Sequence, residues 1–314
     1  MERKIRHSIL IITYNQQHLI GACLDSIFDN DVLPYEVIVG DDCSTDGTKQ
    51  IVLNYQQRFP EILKWAPSEK NLGIFKNWNR LMKMATGDMI SLIAGDDFFK
   101  KKMLATLNEV IIRENLDPQH EKFIIVTNSI ELTPAGKEIL YDNYQLRDKD
   151  VFKARIRYGI SYREVGFSRK LYESLKPIPV DLGYHADWIH IIDQVVSSDK
   201  FYFINQAFSV YRLGEGVTSK TKTKQLLESK LQIIDEVGRR YSDRLDRSDR
   251  LFLSYWKARH EFILTPSWRL YWNLLLYQFR NIGNFTPNNN FFRNFRLLLS
   301  GPIRIFKRSA QNED

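Results

Sequence analysis

The sequence predicts an α/β protein with a mostly parallel sheet, helices on both of its faces, and a helical C-terminal extension. Runs of apolar and β-branched residues, typical of buried strands, alternate with segments whose apolar residues recur at helical spacing. Acidic residues gather directly after several of the strand-like runs. Because ligands of such sheets bind beyond the carboxyl ends of the strands, we expect the functional site at that edge.

Strand-like and helix-like segments alternate with short connections through the first hundred residues. In chain order, we expect a strand at 8–13, a helix at 16–28, a strand at 35–39, a helix at 49–59, a strand at 62–65, a helix ending near 87 and a strand at 89–94. Short connections between strands and helices are typical of a parallel sheet.

Beyond residue 100 the pattern is less regular, and the segment 141–156 carries no clear signal. We expect a helix at 100–115, a strand at 123–127, a hairpin at 130–140 with its turn at 133–136, an amphipathic helix at 187–196, a strand at 201–210, a mobile polar loop at 214–224, helices from 225 to 279 and a last helix at 291–299. On the helix at 187–196 the predicted apolar side consists of Trp188, Ile191, Ile192, Val195 and Val196.

Composition excludes several classes of protein. Hydrophobic residues make up 43% and charged residues 26% of the 314 residues, as in soluble globular proteins. The two cysteines, Cys23 and Cys43, do not make a disulfide framework and favour a reducing compartment. No signal peptide is visible, and no apolar stretch reaches the roughly 18 residues that a membrane span needs. We therefore expect a cytoplasmic protein.

Positive charge is concentrated near the C-terminus of a chain whose net charge is +7. Between residues 251 and 312 the only acid is Glu261, and the bases are Lys257, Arg259, Arg269, Arg280, Arg293, Arg296, Arg304, Lys307 and Arg308. The same segment carries many aromatic residues, among them Trp256, Trp268, Tyr271, Trp272, Tyr277, Phe279, Phe291, Phe292 and Phe295. This combination predicts peripheral contact with the anionic inner face of the cell membrane; the alternatives are packing on the rest of the chain or a homodimer contact.

The stretch from Met89 to Phe99 contains the most informative acids. An apolar run ends abruptly at Gly95, which lets the backbone turn, and Asp96 and Asp97 follow. Two adjacent carboxylates repel each other unless something positive lies between them, and Mg²⁺ or Mn²⁺ prefers carboxylate oxygens. The alternative is a solvated helix cap before 100–102.

The predicted strand ends bring further polar residues to the same edge. Thr13-Tyr14 closes the first strand, and Asp41-Asp42 follows the second. Together with Asp96-Asp97, these residues lie at the carboxyl ends of strands that a parallel sheet aligns. The sequence thus predicts one site assembled from three strand ends.

These residues resemble family-2 glycosyltransferases, which have the GT-A fold. The similar segments are Ile11-Ile12-Thr13-Tyr14-Asn15, Asp41-Asp42-Cys43-Ser44-Thr45-Asp46-Gly47-Thr48, Asn71-Leu72-Gly73, Ala94-Gly95-Asp96-Asp97, Ala186-Asp187-Trp188, and Tyr211-Arg212 with the loop to Ser219. The second segment is fairly specific, and the others are persuasive because they occur in this order.

The resemblance implies an inverting transferase that moves a sugar from a nucleotide-diphosphate donor, a UDP-sugar by family preference, to a glycan or lipid-linked acceptor in surface-polysaccharide synthesis. It implies nucleotide-sugar contacts from Thr13, Tyr14, Asn15, Asp41, Asp42, Asn71, Gly73 and Asp96. Asp96, with Asp97, would bind the Mg²⁺ or Mn²⁺, and Asp187 would be the general base. The expected domains are a catalytic domain at 1–220, with a nucleotide-sugar half at about 1–100 and an acceptor half at about 101–220, and a helical basic region at 221–314.

Four positions depart from the family pattern. Ala94 replaces the first acid of the metal-binding Asp-x-Asp motif, and Ala186 replaces a common Glu before the base. Gly214 stands where a His often completes the site, and Cys43 stands where Gly is usual. The changes at Ala94 and Gly214 keep open an inactive relative that serves as a scaffold or sugar-binding module.

Several residues also have a simpler structural interpretation. Tyr14 could stack on the nucleotide base or fill the core, and Asp42 could accept a hydrogen bond from uracil or cap the following helix. Asp187 could likewise be a plain helix cap. Lys76 and Arg80 could assist the phosphates but are more typical of solvated side chains.

Other function classes are weaker. The sequence lacks the G-x-G-x-x-G of dinucleotide-binding proteins and the G-x-x-x-x-G-K-[ST] of P-loop proteins. A basic nucleic-acid-binding protein would fit the charged C-terminal segment, but the acidic strand ends would repel phosphate, so we expect no nucleic-acid partner.

Overall fold

The computed structural model describes residues 4–142, 150–158 and 165–280. Within these residues nine strands form one mixed sheet. The strands are β1 (His7–Thr13), β2 (Glu36–Asp41), β3 (Leu63–Trp65), β4 (Met89–Ala94), β5 (Phe98–Phe99), β6 (Phe123–Leu132), β7 (Glu138–Tyr141), β8 (Val165–Ser168) and β9 (Lys200–Arg212). Their order across the sheet is β3-β2-β1-β4-β8-β6-β9-β5, and β7 pairs with β6.

Eleven α-helices accompany the sheet in the described part of the chain. They are α1 (Ile20–Phe28), α2 (Thr48–Arg58), α3 (Ile74–Met84), α4 (Met103–Arg113), α5 (Val151–Tyr158), α6 (Arg169–Ser174), α7 (Asp187–Ser197), α8 (Val217–Lys220), α9 (Thr223–Arg240), α10 (Arg247–Leu264) and α11 (Trp268–Arg280). The predicted α/β architecture and the helical C-terminal region are confirmed.

The first four strands in the sheet order are parallel, and their register aligns their carboxyl ends. β1 lies between β2 and β4, with Thr13 opposite Asp41 and Ile12 opposite Ala94. All six residues of β2 are buried, as expected for strands covered on both faces. A parallel register of this kind brings the residues after β1, β2 and β4 to one edge.

The second half of the sheet is mixed. β8 runs antiparallel to β4 and β6, whereas β6 and β9 are parallel with an irregularity near Asn128. The short strand β5 pairs antiparallel with β9, so that Phe98 lies opposite Val210. This pairing brings the end of β9 beside the turn that follows β4.

The described residues divide into two compact units, one within 1–181 and 186–220 and the other within 182–185 and 221–314. In the second unit, α10 and α11 share an apolar core around Phe262 and Leu274. The buried Ser229 hydroxyl accepts a hydrogen bond from the His185 backbone N–H at 3.1 Å. Burial lowers the pKa of His185 and of His260 to about 4.

Among the described helices, none has both the length and the hydropathy of a bilayer-spanning segment.

Two local predictions differ from the structure. The polar loop expected at 214–224 contains α8 and the start of α9. On α7 the buried residues are Ile189, His190, Ile191, Ile192 and Gln194. Trp188, Val195 and Val196 are only partly buried, because α7 packs against both α5 and α6 rather than along a single stripe. The last helix predicted at 291–299, and residues 143–149 of the unassigned segment, lie outside the described residues.

Candidate active site

Three strand ends are joined at the carboxyl edge of the sheet. The backbone N–H of Asp42 donates to the Thr13 carbonyl at 2.9 Å, and the Gly95 N–H donates to the Ile12 carbonyl at 2.8 Å. A Cβ on Gly95 would lie 2.6 Å from Oε1 of Gln16 and 3.1 Å from Oγ1 of Thr13, so only glycine fits this crossing without a shift. The structure thus brings together the ends of β1, β2 and β4.

The turn after β1 exposes the ring of Tyr14 and is hydrogen-bonded to the turn after β2. Tyr14 is 45% exposed, so the alternative of a core tyrosine is wrong. Asn15 adopts a left-handed backbone with φ 51°, and its side-chain oxygen accepts from the Thr45 N–H at 2.8 Å. The Asn15 N–H donates to the Ser44 hydroxyl at 2.9 Å. In this structure, therefore, Asn15 connects the first turn to the second.

Asp41 and Asp46 shape the turn between β2 and α2. Oδ1 of Asp41 accepts hydrogen bonds from both the backbone N–H and the hydroxyl of Ser44. Burial alone would raise the pKa of Asp46, but hydrogen bonds from Thr48 and neighbouring groups hold it below its ordinary value. Cys43 lies between these acids with φ 66°, a backbone region that favours glycine.

The carboxylate of Asp42 accepts hydrogen bonds from a loop that lies 30 residues further along the chain. Its Oδ1 accepts from the Leu72 N–H at 2.8 Å, and its Oδ2 accepts from the Gly73 N–H at 2.8 Å. The Ser68 hydroxyl lies 3.1 Å from the same Oδ1, and the Asn71 side-chain oxygen accepts from the Gly73 N–H at 3.1 Å. The cap alternative for Asp42 is therefore wrong. Sequence reasoning missed Ser68, because nothing local marks a serine as the partner of a distant acid.

Arg80 has a structural role that the sequence did not predict. Its guanidinium donates to the Ala66 carbonyl at 2.6 Å and to the Asn77 side-chain oxygen at 2.8 Å. Burial lowers the pKa of Arg80. The preference for a solvated Arg80 is thus wrong, since it stabilises the segment after β3, whereas Lys76 is exposed as expected.

Asp96 and Asp97 are both buried, and Arg212 contacts the turn that carries them. The Asp97 N–H donates to the Ala94 carbonyl at 3.0 Å, which closes the turn, and Oδ1 of Asp97 accepts from the Arg212 N–H at 3.1 Å. The Arg212 guanidinium donates to the backbone carbonyl of Asp96 at 2.6 Å and lies 4.7 Å from the centre of the Phe98 ring. Arg212 therefore holds this turn through its backbone N–H and its guanidinium.

The helix-cap alternative for this acid pair is wrong. β5 follows the pair directly, and α4 begins only at Met103, with Lys102 at its N-cap position. The two aromatic residues after the acids pair with β9 instead of starting a helix.

The acid pair after β4 has the donor chemistry for a hard divalent cation bound through few protein ligands. No group of three or more His, Cys, Asp or Glu side chains suited to a metal occurs within the described residues. Mg²⁺ is commonly bound by one or two carboxylates, with waters and substrate phosphates completing its shell. Asp96 and Asp97 supply carboxylates of this kind, and Oδ2 of Asp96 lies 3.4 Å from the point where a Cβ of Gly216 would stand.

Asp187 is the first residue of α7, and the N-cap position belongs to Ala186, which makes no side-chain capping bond. The plain-cap alternative is therefore wrong, although a carboxylate in the first turn interacts favourably with the helix dipole. The role of Asp187 as general base stays a prediction.

Several known proteins are similar to this chain. The family model described as glycosyl transferase family 2 matches residues 8–168. A β-1,3-glucosyltransferase of Campylobacter jejuni, named for a GalNAc(5)-diNAcBac-PP-undecaprenol substrate, is 25% identical over 207 residues, which are 66% of this chain and 64% of the relative. Poly(ribitol-phosphate) β-N-acetylglucosaminyltransferase TarS of Staphylococcus aureus is 35% identical over 253 residues, covering 71% of this chain and 43% of TarS. A Mycobacterium tuberculosis protein is 34% identical over 93 residues, and only 27% of its length is spanned.

Solved structures show the same fold. TarS residues 1–349 with UDP-GlcNAc superimpose with a TM-score of 0.61 at 21% identity, covering 87% of this chain and 77% of that one. A mannosyltransferase of Pyrobaculum calidifontis, solved with GDP-Man and Mn²⁺, gives a TM-score of 0.57 at 16% identity, covering 96% and 87%. The chain is a member of glycosyl transferase family 2 and has the GT-A fold.

Proposed function

We propose that the protein transfers a sugar from a UDP-sugar to a hydroxyl of a glycan or lipid-linked glycan, with inversion, in cell-surface polysaccharide synthesis. The observation that carries this proposal is the meeting of Thr13, Asp42 and Gly95-Asp96 at one sheet edge. Three relatives are named for transfer to undecaprenol-linked or poly(ribitol-phosphate) acceptors, and TarS has been solved with UDP and with UDP-GlcNAc.

The nucleotide would lie against the turns that follow β1 and β2. The exposed ring of Tyr14 offers an apolar face on which a base can stack. Oδ2 of Asp42 accepts one hydrogen bond in this structure, from Gly73, and a carboxylate oxygen can accept a second from a uracil N–H. Asn71 and Gly73 form the loop that this carboxylate holds, and Asn15 and Asp41 shape the two turns.

A divalent cation would bind at Asp96, with Asp97 as the second candidate ligand. Mg²⁺ or Mn²⁺ supplies Lewis-acid stabilisation of the negative charge on a departing diphosphate. Asp96 would orient the sugar donor's diphosphate at the edge where the three strand ends meet.

Asp187 would act as general base. An acceptor hydroxyl oxygen forms the new bond to the anomeric carbon while the bond to the diphosphate breaks, and the hydroxyl proton passes to Asp187. A single displacement of this kind inverts the anomeric configuration and needs no covalent nucleophile. General-base assistance typically contributes about 10² to 10⁴ in rate.

Two measurements test the transferase proposal. Calorimetry should show UDP binding that strengthens with Mn²⁺, and UDP release should be detectable from at least one member of a sugar-nucleotide panel that includes UDP-glucose and UDP-GlcNAc. Asp187→Asn should abolish UDP release while UDP affinity stays within about twofold. Asp199→Asn, an exposed acid after the same helix, is the matched control.

The outcomes separate the competing functions. Near-normal turnover by Asp187→Asn would remove this residue from the mechanism. Metal-dependent UDP binding without turnover of any sugar nucleotide would instead indicate an inactive relative that binds nucleotides. Binding of nucleic acid without metal, and no binding of UDP, would favour the nucleic-acid alternative.

We also propose peripheral contact with an anionic membrane through the C-terminal region. Trp268, Trp272 and Leu276 recur every fourth residue on α11 and are 44%, 59% and 54% exposed. The sequence from 265 to 312 contains seven bases and no acid: Arg269, Arg280, Arg293, Arg296, Arg304, Lys307 and Arg308. An exposed aromatic stripe with basic neighbours suits the interface of an anionic bilayer.

Sedimentation with vesicles tests this contact. The full chain should bind vesicles that contain phosphatidylglycerol more strongly than vesicles of phosphatidylcholine alone. The double variant Trp268→Ser/Trp272→Ser should lose about tenfold in affinity, whereas Ile112→Ser, which removes an exposed apolar side chain from α4, should not. Equal binding by all forms, or a dimer that the double variant dissociates, would contradict membrane contact through this face.

A further inference from the structure

The two carboxylates after β4 are neighbours in sequence but face different parts of the protein. Oδ1 of Asp97 accepts a hydrogen bond from the backbone N–H of Arg212, the last residue of β9. Oδ2 of Asp96 instead faces the turn after β9, 3.4 Å from the point that a Cβ of Gly216 would occupy. One carboxylate is thus bonded to the backbone of a strand, and the other faces the segment that follows that strand.

Arg212 contacts this turn in three ways. Its backbone N–H is bonded to the Asp97 side chain, and its guanidinium donates to the Asp96 carbonyl at 2.6 Å. The guanidinium also lies over the Phe98 ring, and the β5–β9 pairing continues the contact through Phe98 opposite Val210. Residues 96 to 98 are therefore held to the end of β9 by side-chain and backbone contacts together.

We propose that Asp97 and Arg212 are positioning residues that hold the turn carrying Asp96 to the end of β9. The inference rests on the proposed function, in which Asp96 meets a cation and a diphosphate. It assigns Asp97 the role of bonding the turn to β9, because its Oδ1 is already bonded to the Arg212 N–H. Arg212 acts through the Asp96 backbone and touches no substrate.

An isosteric substitution separates the two possible roles of Asp97. The amide oxygen of Asp97→Asn can still accept from the Arg212 N–H, so this variant keeps the hydrogen bond and removes only the charge. A metal ligand does not tolerate that change well, because hard cations prefer carboxylate oxygens. Asp97→Ala removes the hydrogen bond itself.

The experiment is calorimetric titration of the full chain with UDP in the presence of Mn²⁺. Asp96→Asn should weaken binding by about 100-fold, whereas Asp97→Ala and Arg212→Met should each weaken it by about tenfold, as for partners that orient a ligand. Asp97→Asn should stay within about threefold of the natural chain, because its amide oxygen keeps the hydrogen bond to the Arg212 N–H. Asp199→Asn is the exposed control.

The proposal is overturned if Asp97→Asn loses as much affinity as Asp96→Asn. Failure of Asp97→Asn to fold counts against it too, because an amide should preserve the bond to Arg212. Hydrogen exchange of a peptide covering 211–216 gives a readout that needs no ligand. Protection should fall in Asp97→Ala and persist in Asp97→Asn. If the natural chain binds no UDP, the proposed function fails, and the exchange experiment still decides whether Asp97 holds Arg212.

Discussion

Two Asp-Asp pairs flank β1, one at the end of β2 and the other after β4, and they are used differently. All four side chains are at most 5% exposed, so burial does not distinguish them. Asp41 and Asp42 are surrounded by backbone N–H groups and hydroxyls, whereas the turn of Asp96 and Asp97 has a guanidinium beside it. Identical dipeptides at equivalent strand ends therefore acquire their roles from the groups that face them.

The two pairs therefore differ in their expected roles, since the first stabilises a loop and the second is proposed to bind ligand. Both oxygens of Asp42 accept backbone hydrogen bonds, so this residue fixes the 71–73 loop even without a nucleotide. The Asp96 carboxylate faces the turn at Gly216 instead, and its backbone is what Arg212 holds. We expect mutations in the first pair to affect stability most and mutations of Asp96 to affect ligand affinity most.

Asp42→Ala should give the largest loss of stability, about 3 kcal/mol, because it leaves the Leu72 and Gly73 N–H groups without their acceptor. Urea denaturation followed by tryptophan fluorescence measures this loss. Asp96→Ala is the matched comparison and should change the free energy of unfolding by no more than about 1 kcal/mol. Equal losses in both variants would contradict the division of roles.

The pH dependence of stability tests whether another buried acid of the first unit, Glu36, also has a structural role. Burial alone would raise the pKa of Glu36, but hydrogen bonds from Lys64, Thr86 and Ser8 hold it below its ordinary value. A carboxyl whose pKa is lower in the folded state stabilises the protein above its unfolded pKa of about 4.3. That contribution is lost as the pH falls through the lower, folded pKa.

Glu36→Gln should therefore cost about 2 kcal/mol at pH 7 and progressively less below pH 4.3, as the natural chain becomes protonated. Unfolding by urea at several pH values measures the difference between the two proteins. A difference that stays constant down to pH 2 would show that the charge of Glu36 contributes nothing.

Ser68→Ala should cost about 1 kcal/mol, because it removes a hydroxyl that lies 2.8 Å from the Lys70 carbonyl and 3.1 Å from Oδ1 of Asp42, while the two backbone donors to Asp42 remain. Ser174→Ala is the control, since that hydroxyl bonds only to a carbonyl of its own helix, and it should cost less than about 0.5 kcal/mol. A loss for Ser68→Ala as large as that of Asp42→Ala would mean that Ser68, rather than the backbone donors, holds this loop.

Cys43→Gly should give the smallest change, a gain of about 0.5 kcal/mol. Relief of the left-handed backbone at φ 66° is partly offset by the greater flexibility of glycine in the unfolded chain. Thermal unfolding compared with the natural chain measures the gain. A clear loss would show that the thiol contact with the Glu69 carbonyl, at 3.6 Å, outweighs the backbone term.

Sequence reasoning located the strand ends but missed many of the partners at those ends. The alternation of buried strands and helices is a local pattern, so the carboxyl edge could be predicted from it. The roles of Arg80 and Ser68 were missed, as was the burial of His190 and Gln194, because each depends on an element that lies elsewhere in the chain.

The sequence by itself determined the α/β class, the order of the first strands and helices, the family motifs and the presence of acids at the ends of β2 and β4. Only the tertiary structure decided that Asp42 reaches Leu72 and Gly73, and that Arg212 meets Asp96 from 116 residues away. The physical reason is that periodicity and turn chemistry are local. Hydrogen-bond partners across a sheet edge depend instead on strand register and on the order of the strands in the sheet.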